Sequence, residues 1–156
     1  MITNFKLFED VNTFDFEVER EYNHKSKYKS ITYTFTTDNG FDYSVFISDT
    51  IKGGKYLGTN IVEFAFRTND GDPNVAMKRL TNNTKEVYKV MNTIFTCIKD
   101  FTNTYYVQYI CYTPTETDSK PGSKESRARL YNHYFKKYFP NCEIEKIKDQ
   151  YFITLN

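Results

Sequence analysis

Apolar and polar residues alternate in the first part of the chain, in the manner of β-strands. In the stretch FDFEVER, Phe14, Phe16 and Val18 share one face, and the acidic residues between them occupy the other. The stretch ITYTFTT repeats this period of two, which is typical of a strand with one buried face. We predict strands in both stretches, and also in FDYSVFIS and NIVEFAFRT further along the chain.

A turn signal separates the second and third of these predicted strands. Asp38, Asn39 and Gly40 follow one another between them, and Asn and Gly readily adopt the positive φ angles that tight hairpin turns require. We therefore predict that residues 31–48 form a β-hairpin that turns at this triplet, with no helix inside that span.

The hydrophobic period changes to that of an α-helix after residue 83. Apolar residues recur there at steps of four, three, four and three, at Val87, Met91, Ile94, Ile98 and Phe101. Such a stripe predicts an amphipathic helix. Asn83 and Glu86 have the spacing of a capping box, which predicts where this helix begins.

The remaining predicted elements are a short strand, a second helix and a closing hairpin. YYVQYICY is rich in residues that favour strands, and it predicts a strand over residues 105–112. From Ser123 to Phe139 we predict a helix that Ser123 caps, with Arg127 and Lys137 in solvent. The aromatic face that we expect to pack on the sheet comprises Tyr131, Tyr134, Phe135 and Tyr138. CEIEKI and YFITL predict the closing hairpin.

The predicted element order is therefore β-β-β-β-α-β-α-β-β. A helix between two strands implies a right-handed crossover and a locally parallel strand pair, whereas the four leading strands imply antiparallel neighbours. We predict an α+β fold with a mixed, mainly antiparallel sheet and two covering helices. We expect one domain over residues 1–156, with residues 1–28 as an N-terminal strand extension and residues 29–156 as the core.

Composition excludes few classes of function, because the 156-residue chain has a net charge of only +1. The charge is unevenly distributed: residues 1–22 carry a net charge of −4 and residues 120–137 carry +5. No apolar run is long enough to span a bilayer, and no signal peptide is expected. Three widely spaced cysteines predict buried thiols in a reducing compartment.

Calcium and zinc sites are not expected from the sequence. The loop Asp70-Gly71-Asp72-Pro73-Asn74 has oxygen ligands at alternate positions but lacks the glycine and glutamate of a calcium loop. The two histidines, His24 and His133, have no cysteine near them in sequence, which argues against zinc.

The element order from residue 30 onward resembles that of the Gcn5-related N-acetyltransferase (GNAT) family. In that family the first helix begins with Gln/Arg-x-x-Gly-x-Gly/Ala, and the corresponding stretch here is Arg79-Leu80-Thr81-Asn82-Asn83-Thr84, without either glycine. Leu130-Tyr131 matches a Leu-Tyr pair on the family's later helix. The resemblance implies acetyl-CoA as cofactor, with Tyr131 as general acid and Glu63 as base. It places the phosphates at Arg79, Asn82, Asn83 and Thr84.

The missing glycines favour a protein that keeps the fold without the enzymatic activity, because glycine lets backbone N–H groups approach a phosphate closely. The second half of the chain also resembles small uncharacterised proteins of tailed phages. Our leading hypothesis is a non-enzymatic phage-type protein without a cofactor, which binds a virion or host protein and no membrane. The resemblance implies that it is found in the host cell cytoplasm or in a virion. The alternatives are an acyl-CoA-dependent N-acetyltransferase with a modified loop, and a phosphate- or nucleic-acid-binding protein that uses the basic helix 124–137.

Overall fold

The computed structural model describes residues 13–23, 28–68, 84–114 and 122–156. These residues form a single sheet and two α-helices. The strands are β1 (Phe16–Asn23), β2 (Tyr28–Thr36), β3 (Asp42–Asp49), β4 (Ile61–Thr68), β5 (Tyr109–Tyr112), β6 (Glu143–Ile147) and β7 (Gln150–Thr154). The helices are α1 (Thr84–Thr104) and α2 (Ser123–Tyr138), and a short 3-10 helix spans Gly54–Tyr56.

The seven strands lie in the order β1-β2-β3-β4-β5-β7-β6 across the sheet. Strands β4 and β5 are parallel, as a helical crossover requires, and every other neighbouring pair is antiparallel. The prediction of an α+β fold with a mostly antiparallel sheet and two helices is confirmed. Along the chain, the described elements run β-β-β-β-α-β-α-β-β, with the 3-10 helix between the third and fourth strands.

The predicted hairpin of residues 31–48 is also confirmed, and it turns where Asp38, Asn39 and Gly40 stand. Gly40 has a φ of 81°, a conformation that glycine adopts without strain. The turn is closed by the backbone N–H of Thr37, which donates to the carbonyl of Phe41 at 2.9 Å. No helix lies inside the span.

Helix α1 packs on the sheet through the predicted stripe, of which Met91, Ile94, Ile98 and Phe101 are buried and Val87 is half-buried. Two polar contacts supplement this packing. The Thr93 hydroxyl accepts a hydrogen bond of 2.8 Å from the backbone N–H of Phe14, and the Tyr33 hydroxyl donates to the Asp100 carboxylate at 2.8 Å. The capping residue Asn83 lies outside the described residues. Glu86 accepts a hydrogen bond from the Asn39 side chain at 3.1 Å, which ties the hairpin turn to α1.

Helix α2 differs from its prediction at two positions. Its N-cap is Gly122, with a φ of 83°, and not Ser123, because the chain enters the helix through a left-handed conformation that favours glycine. Arg127 is only 5% exposed, not in solvent, since it lies four residues before Tyr131 on the packed face. Lys137 is exposed as predicted, and the predicted aromatic face is buried or half-buried.

The other face of the sheet is covered only locally among the described residues. Tyr56 of the 3-10 helix stacks on Phe152 with ring centroids 4.3 Å apart, and it forms a small cluster with Ile61 and Cys111.

The predicted strand over residues 105–112 is correct only for its second half. The strand begins only at Tyr109, although the backbone N–H of Gln108 already donates to the Asn60 carbonyl at 2.8 Å.

Each of the three cysteines, Cys97, Cys111 and Cys142, is a buried free thiol, as predicted. Burial raises the pKa of all three, in the case of Cys111 to about 11, so the thiols stay protonated near neutral pH.

Neither described helix is long and apolar enough to cross a membrane.

Phe135→Ala should lower the free energy of unfolding by about 3–5 kcal/mol, because it removes a fully buried ring from the middle of the core. Tyr106→Ala is a matched control, since Tyr106 is 76% exposed and its loss should change stability by less than about 0.5 kcal/mol. Chemical denaturation of both variants measures the difference. Equal losses would contradict the described packing of α2.

Candidate functional site

Strands β4 and β5 separate after three residue pairs, and this separation is the candidate site. Their parallel pairing runs from Ile61 with Tyr109 to Glu63 with Cys111. Strand β4 continues to Thr68, which is paired only with Tyr43 of β3. From Phe64 onward, the side of β4 that faces β5 therefore has no strand beside it among the described residues. We call this gap the β4–β5 opening.

A cavity of about 330 Å³ lies along this part of β4. It is lined by Phe46, Ala65, Phe66 and Arg67. The Arg67 guanidinium carbon lies 4.8 Å from the centre of the Phe46 ring, in the range of a cation–π contact. The cavity thus combines an apolar lining with a positive charge. Because successive side chains of a strand point to opposite faces, Phe66 and Arg67 bring residues from both faces of β4 to the cavity.

Tyr131 of α2 fills the opening on the helical side of the sheet. Its ring centroid lies 5.6 Å from that of Phe66 on β4 and 5.4 Å from that of Tyr112 on β5. The ring therefore bridges the two separating strands. Tyr131 is 8% exposed, and no described residue makes a hydrogen bond to its hydroxyl. The side chain covers the opening on the helical side only, by packing.

Burial also determines the ionisation of this tyrosine. Loss of hydration raises the pKa of Tyr131 to about 12, and the nearby positive charge of Arg127 opposes part of that rise. The Tyr131 hydroxyl is consequently protonated at neutral pH. It can donate a proton or a hydrogen bond there, but it cannot serve as a base.

Tyr112 holds α2 against β5 at the same place. Its hydroxyl donates to the side-chain oxygen of Asn132 and lies 3.3 Å from the Ala128 carbonyl. Burial, followed by the neighbouring Tyr151 and Tyr131, raises its pKa far above the ordinary value. Tyr112 is thus a fixed, neutral wall of the opening.

The structure does not bring the predicted acid and base together. Tyr131 packs against Phe64 and Phe66 on the helical face, whereas Glu63 alternates with Phe64 and lies on the other face. The predicted phosphate ligands Arg79, Asn82 and Asn83 lie outside the described residues. Thr84 is the first residue of α1.

Sequence reasoning missed several residues of the site, namely Phe46, Arg67, Tyr112 and Arg127. For Arg127 a signal existed, since its spacing of four from Tyr131 places both on one helical face. The others are brought together by strand pairing between distant segments. Across the described residues, no group of three or more His, Cys, Asp or Glu side chains is arranged to hold a metal ion.

The basic residues of α2 make contacts within the chain. Lys124 donates to the Asp149 carboxylate at 2.9 Å, and Lys137 donates to the Asn92 side chain at 3.1 Å. Lys136 donates to the Cys142 carbonyl, and Arg129 donates to the Ser126 hydroxyl at 3.2 Å. The three lysine contacts join α2 to α1 and to the closing hairpin, the Arg129 contact lies within α2, and part of the positive charge still faces solvent.

Tyr131→Phe should change the free energy of unfolding by less than about 0.5 kcal/mol, because it keeps the ring and removes a hydroxyl without a described partner. Tyr112→Phe is the matched comparison, and it should cost about 1–2 kcal/mol because it removes the hydrogen bond to Asn132. Denaturant titration of both variants tests the two roles. A larger loss for Tyr131→Phe would mean that its hydroxyl is held by a partner.

The raised pKa of Tyr131 predicts a loss of stability at high pH. The pKa of Tyr131 in the folded protein, about 12, exceeds the ordinary tyrosine pKa of 10.0, so the contribution of Tyr131 is complete below about pH 10. It should be lost as the pH rises through 12, because the unfolded chain releases this proton first. The ultraviolet difference titration between the parent and Tyr131→Phe should have its midpoint near pH 12. A midpoint near 10 would show an exposed ring.

No model of a known protein family matches the chain, and no curated protein or solved structure matches it either. The geometry of the site is therefore the basis for assigning a function.

Proposed function

We propose that this protein works by binding another protein and does not catalyse a reaction. The partner contributes an extended segment, which pairs with β4 in the β4–β5 opening. The observation that carries the proposal is the edge of β4 between Phe64 and Thr68, which faces β5 without a strand beside it in the described part of the chain.

A strand edge supplies affinity through its backbone, because an added strand satisfies the N–H and C=O groups that point away from the sheet. The neighbouring cavity supplies selectivity. Phe46, Ala65 and Phe66 line a space suited to an apolar side chain of the added segment. Arg67 lies at the same place and favours an acidic group near that side chain.

Two features support binding without catalysis. Glu63 and Tyr131 lie on opposite faces of the sheet, so no single substrate group contacts both in the described arrangement. The stretch from Arg79 to Thr84 lacks the glycines that a close approach to phosphate requires.

The second candidate is the acyl-CoA-dependent N-acetyltransferase that the GNAT resemblance implies. The pantetheine arm of acyl-CoA contains amide groups, so it could pair with the same edge of β4 as a peptide does. Tyr131 favours this candidate, because its raised pKa keeps the hydroxyl protonated beside the opening, as a general acid requires.

In its biological setting, the protein acts as a phage virion component or as a factor directed at a host protein, in the host cytoplasm or the virion. The resemblance of the second half of the chain to tailed-phage proteins supports this setting. Phosphate or nucleic-acid binding through helix α2 is the third candidate, and the exposed Arg129, Lys136 and Lys137 favour it. Such binding would weaken steeply as salt concentration rises.

Ala65→Trp should block the cavity, because Ala65 is exposed and lines it. Peptides selected on the parent protein from a random display library should bind this variant about tenfold more weakly or worse, a loss of at least about 1.4 kcal/mol. Asn103→Trp adds the same ring at an exposed position of α1 and should leave binding unchanged. Peptides that bind all three proteins equally would place the interaction elsewhere.

A thermal-shift titration with acetyl-CoA separates the first two candidates. A ligand that binds only the folded state of a protein raises its melting temperature. If the protein does not bind acetyl-CoA, as we propose, acetyl-CoA should leave its melting temperature unchanged. A saturable rise that Ala65→Trp abolishes would overturn the proposal in favour of the acyltransferase.

A further inference from the structure

Strand β4 ends at a buried hydroxyl group for which the described part of the chain supplies no hydrogen-bond partner. Thr68 is the last residue of β4, it is only 1% exposed, and no described residue makes a hydrogen bond to its side-chain oxygen. Buried polar groups are almost always hydrogen-bonded, because an unpaired group loses its interactions with water and gains none in return. The Thr68 hydroxyl therefore indicates a place for a bound polar group.

This hydroxyl lies at the far end of the β4–β5 opening, on the side of the sheet that the helices cover. Successive side chains of a strand point to opposite faces, so Thr68 shares its face with Phe64 and Phe66. Phe66 contacts Tyr131 of α2, which identifies this face as the helical one. A segment that pairs with β4 from Phe64 onward reaches Thr68 where the strand ends.

Helix α2 places a buried arginine at the level of this strand end. The ring centroid of Phe135 lies 6.2 Å from that of Phe64, and the ring centroid of Tyr131 lies 5.6 Å from that of Phe66. Four residues back along α2 thus correspond to two residues forward along β4, a distance of about 6 Å in both elements. The next step of four along α2 is Arg127, which is buried. Its position along α2 is therefore level with the last residue of β4.

The side chains at this end of the opening can hold an anion. The hydroxyls of Thr68 and Tyr131 can both donate a hydrogen bond, and the Tyr131 side chain points back along α2 toward the Thr68 end of the opening. The positive charge of Arg127 acts on this tyrosine, since it opposes part of the rise in the pKa of Tyr131. On the other face of the sheet, Arg67 precedes Thr68 and adds a second guanidinium group. Two hydrogen-bond donors and two positive charges favour a carboxylate.

We propose that the β4–β5 opening receives the C-terminus of a partner chain, whose terminal carboxylate accepts hydrogen bonds from the hydroxyls of Thr68 and Tyr131. This role rests on the proposed strand addition at β4, and it names the part of the partner that is added. The segment runs parallel to β4, because only this orientation brings its C-terminus to Thr68. The edge from Phe64 to Thr68 accommodates about five residues, or roughly 16 Å of extended chain. A chain end fits there, because the backbone groups of β4 that can pair with the segment end at Thr68.

The first test compares one peptide in two chemical forms. The peptide that binds the parent most tightly is selected from a random library displayed with free C-termini. It is then synthesised with an N-terminal fluorescein label, once as the free acid and once as the C-terminal amide. Fluorescence anisotropy should show that the free acid binds at least about tenfold more tightly, because the amide lacks the negative charge.

Thr68→Val keeps the shape of the side chain and removes its hydroxyl. It should weaken binding of the free acid about tenfold and change binding of the amide less than about twofold, because the lost hydrogen bond is made to a charged group. Tyr131→Phe should act in the same direction. Thr154→Val is the matched control, since it makes the same change at a half-buried position of β7, and it should change neither affinity more than about twofold.

The melting temperature of Thr68→Val tests the same hydroxyl without a ligand. The variant should melt at the temperature of the parent or above it, because it removes a buried hydroxyl for which the described residues supply no hydrogen bond. A melting temperature several degrees lower would show that the chain itself holds this hydroxyl, and would contradict its assignment to a bound carboxylate.

Ala65→Trp separates a failure of this proposal from a failure of strand addition. If it weakens both forms of the peptide, but the parent binds the free acid and the amide equally, strand addition stands and the carboxylate site is overturned. If it weakens neither form, or if the library yields no binding peptide, strand addition fails and the carboxylate site fails with it. Tighter binding of acetyl-CoA than of the free acid, lost in Thr68→Val, would assign the position to a phosphate group and would also overturn the proposal.

Discussion

The contact among three aromatic rings, Phe64 of β4, Phe95 of α1 and Phe135 of α2, is the interaction on which the arrangement of the molecule depends. The centroids of Phe95 and Phe135 lie 4.7 Å apart, and both rings lie 6.2 Å from Phe64. Such pairs add about 0.5–1.5 kcal/mol each to the free energy of burying their surface. Because α1 and α2 meet over the same strand, both helices cover one face of the sheet. Helix α1 forms the crossover between β4 and β5, so these two neighbouring strands are parallel.

This arrangement also explains why the opening exists. Strand β5 is only four residues long, whereas β4 has eight, so the two strands pair over a short distance before β4 continues alone. Tyr131 covers the space beyond the last pair on the helical side of the sheet. It lies four residues after Arg127 and four residues before Phe135 along α2. The same helical face that anchors α2 in the core thus supplies the side chain that covers the opening. Packing and the candidate site are therefore coupled at this tyrosine.

The sequence predicted the local elements well, because their signals are local. Alternation identified the strands, the Asp38-Asn39-Gly40 triplet located the hairpin, and the four-three spacing identified the packed face of α1. The burial of Arg127 was not predicted. A charged side chain is usually exposed, but the spacing of four residues from Tyr131 places Arg127 on the packed face of α2. The opening could not be predicted from the sequence alone. It depends on strand register, which brings residues from distant segments together and is set by pairing across the whole sheet.

The direction of β4 restricts the segment that we propose for the β4–β5 opening. A segment that pairs with β4 must run along the strand direction, because its backbone hydrogen bonds are made at successive positions of the edge. Tyr131 covers the helical side of this edge. Side chains of such a segment therefore reach the cavity at Ala65 and Arg67 from the other face of the sheet.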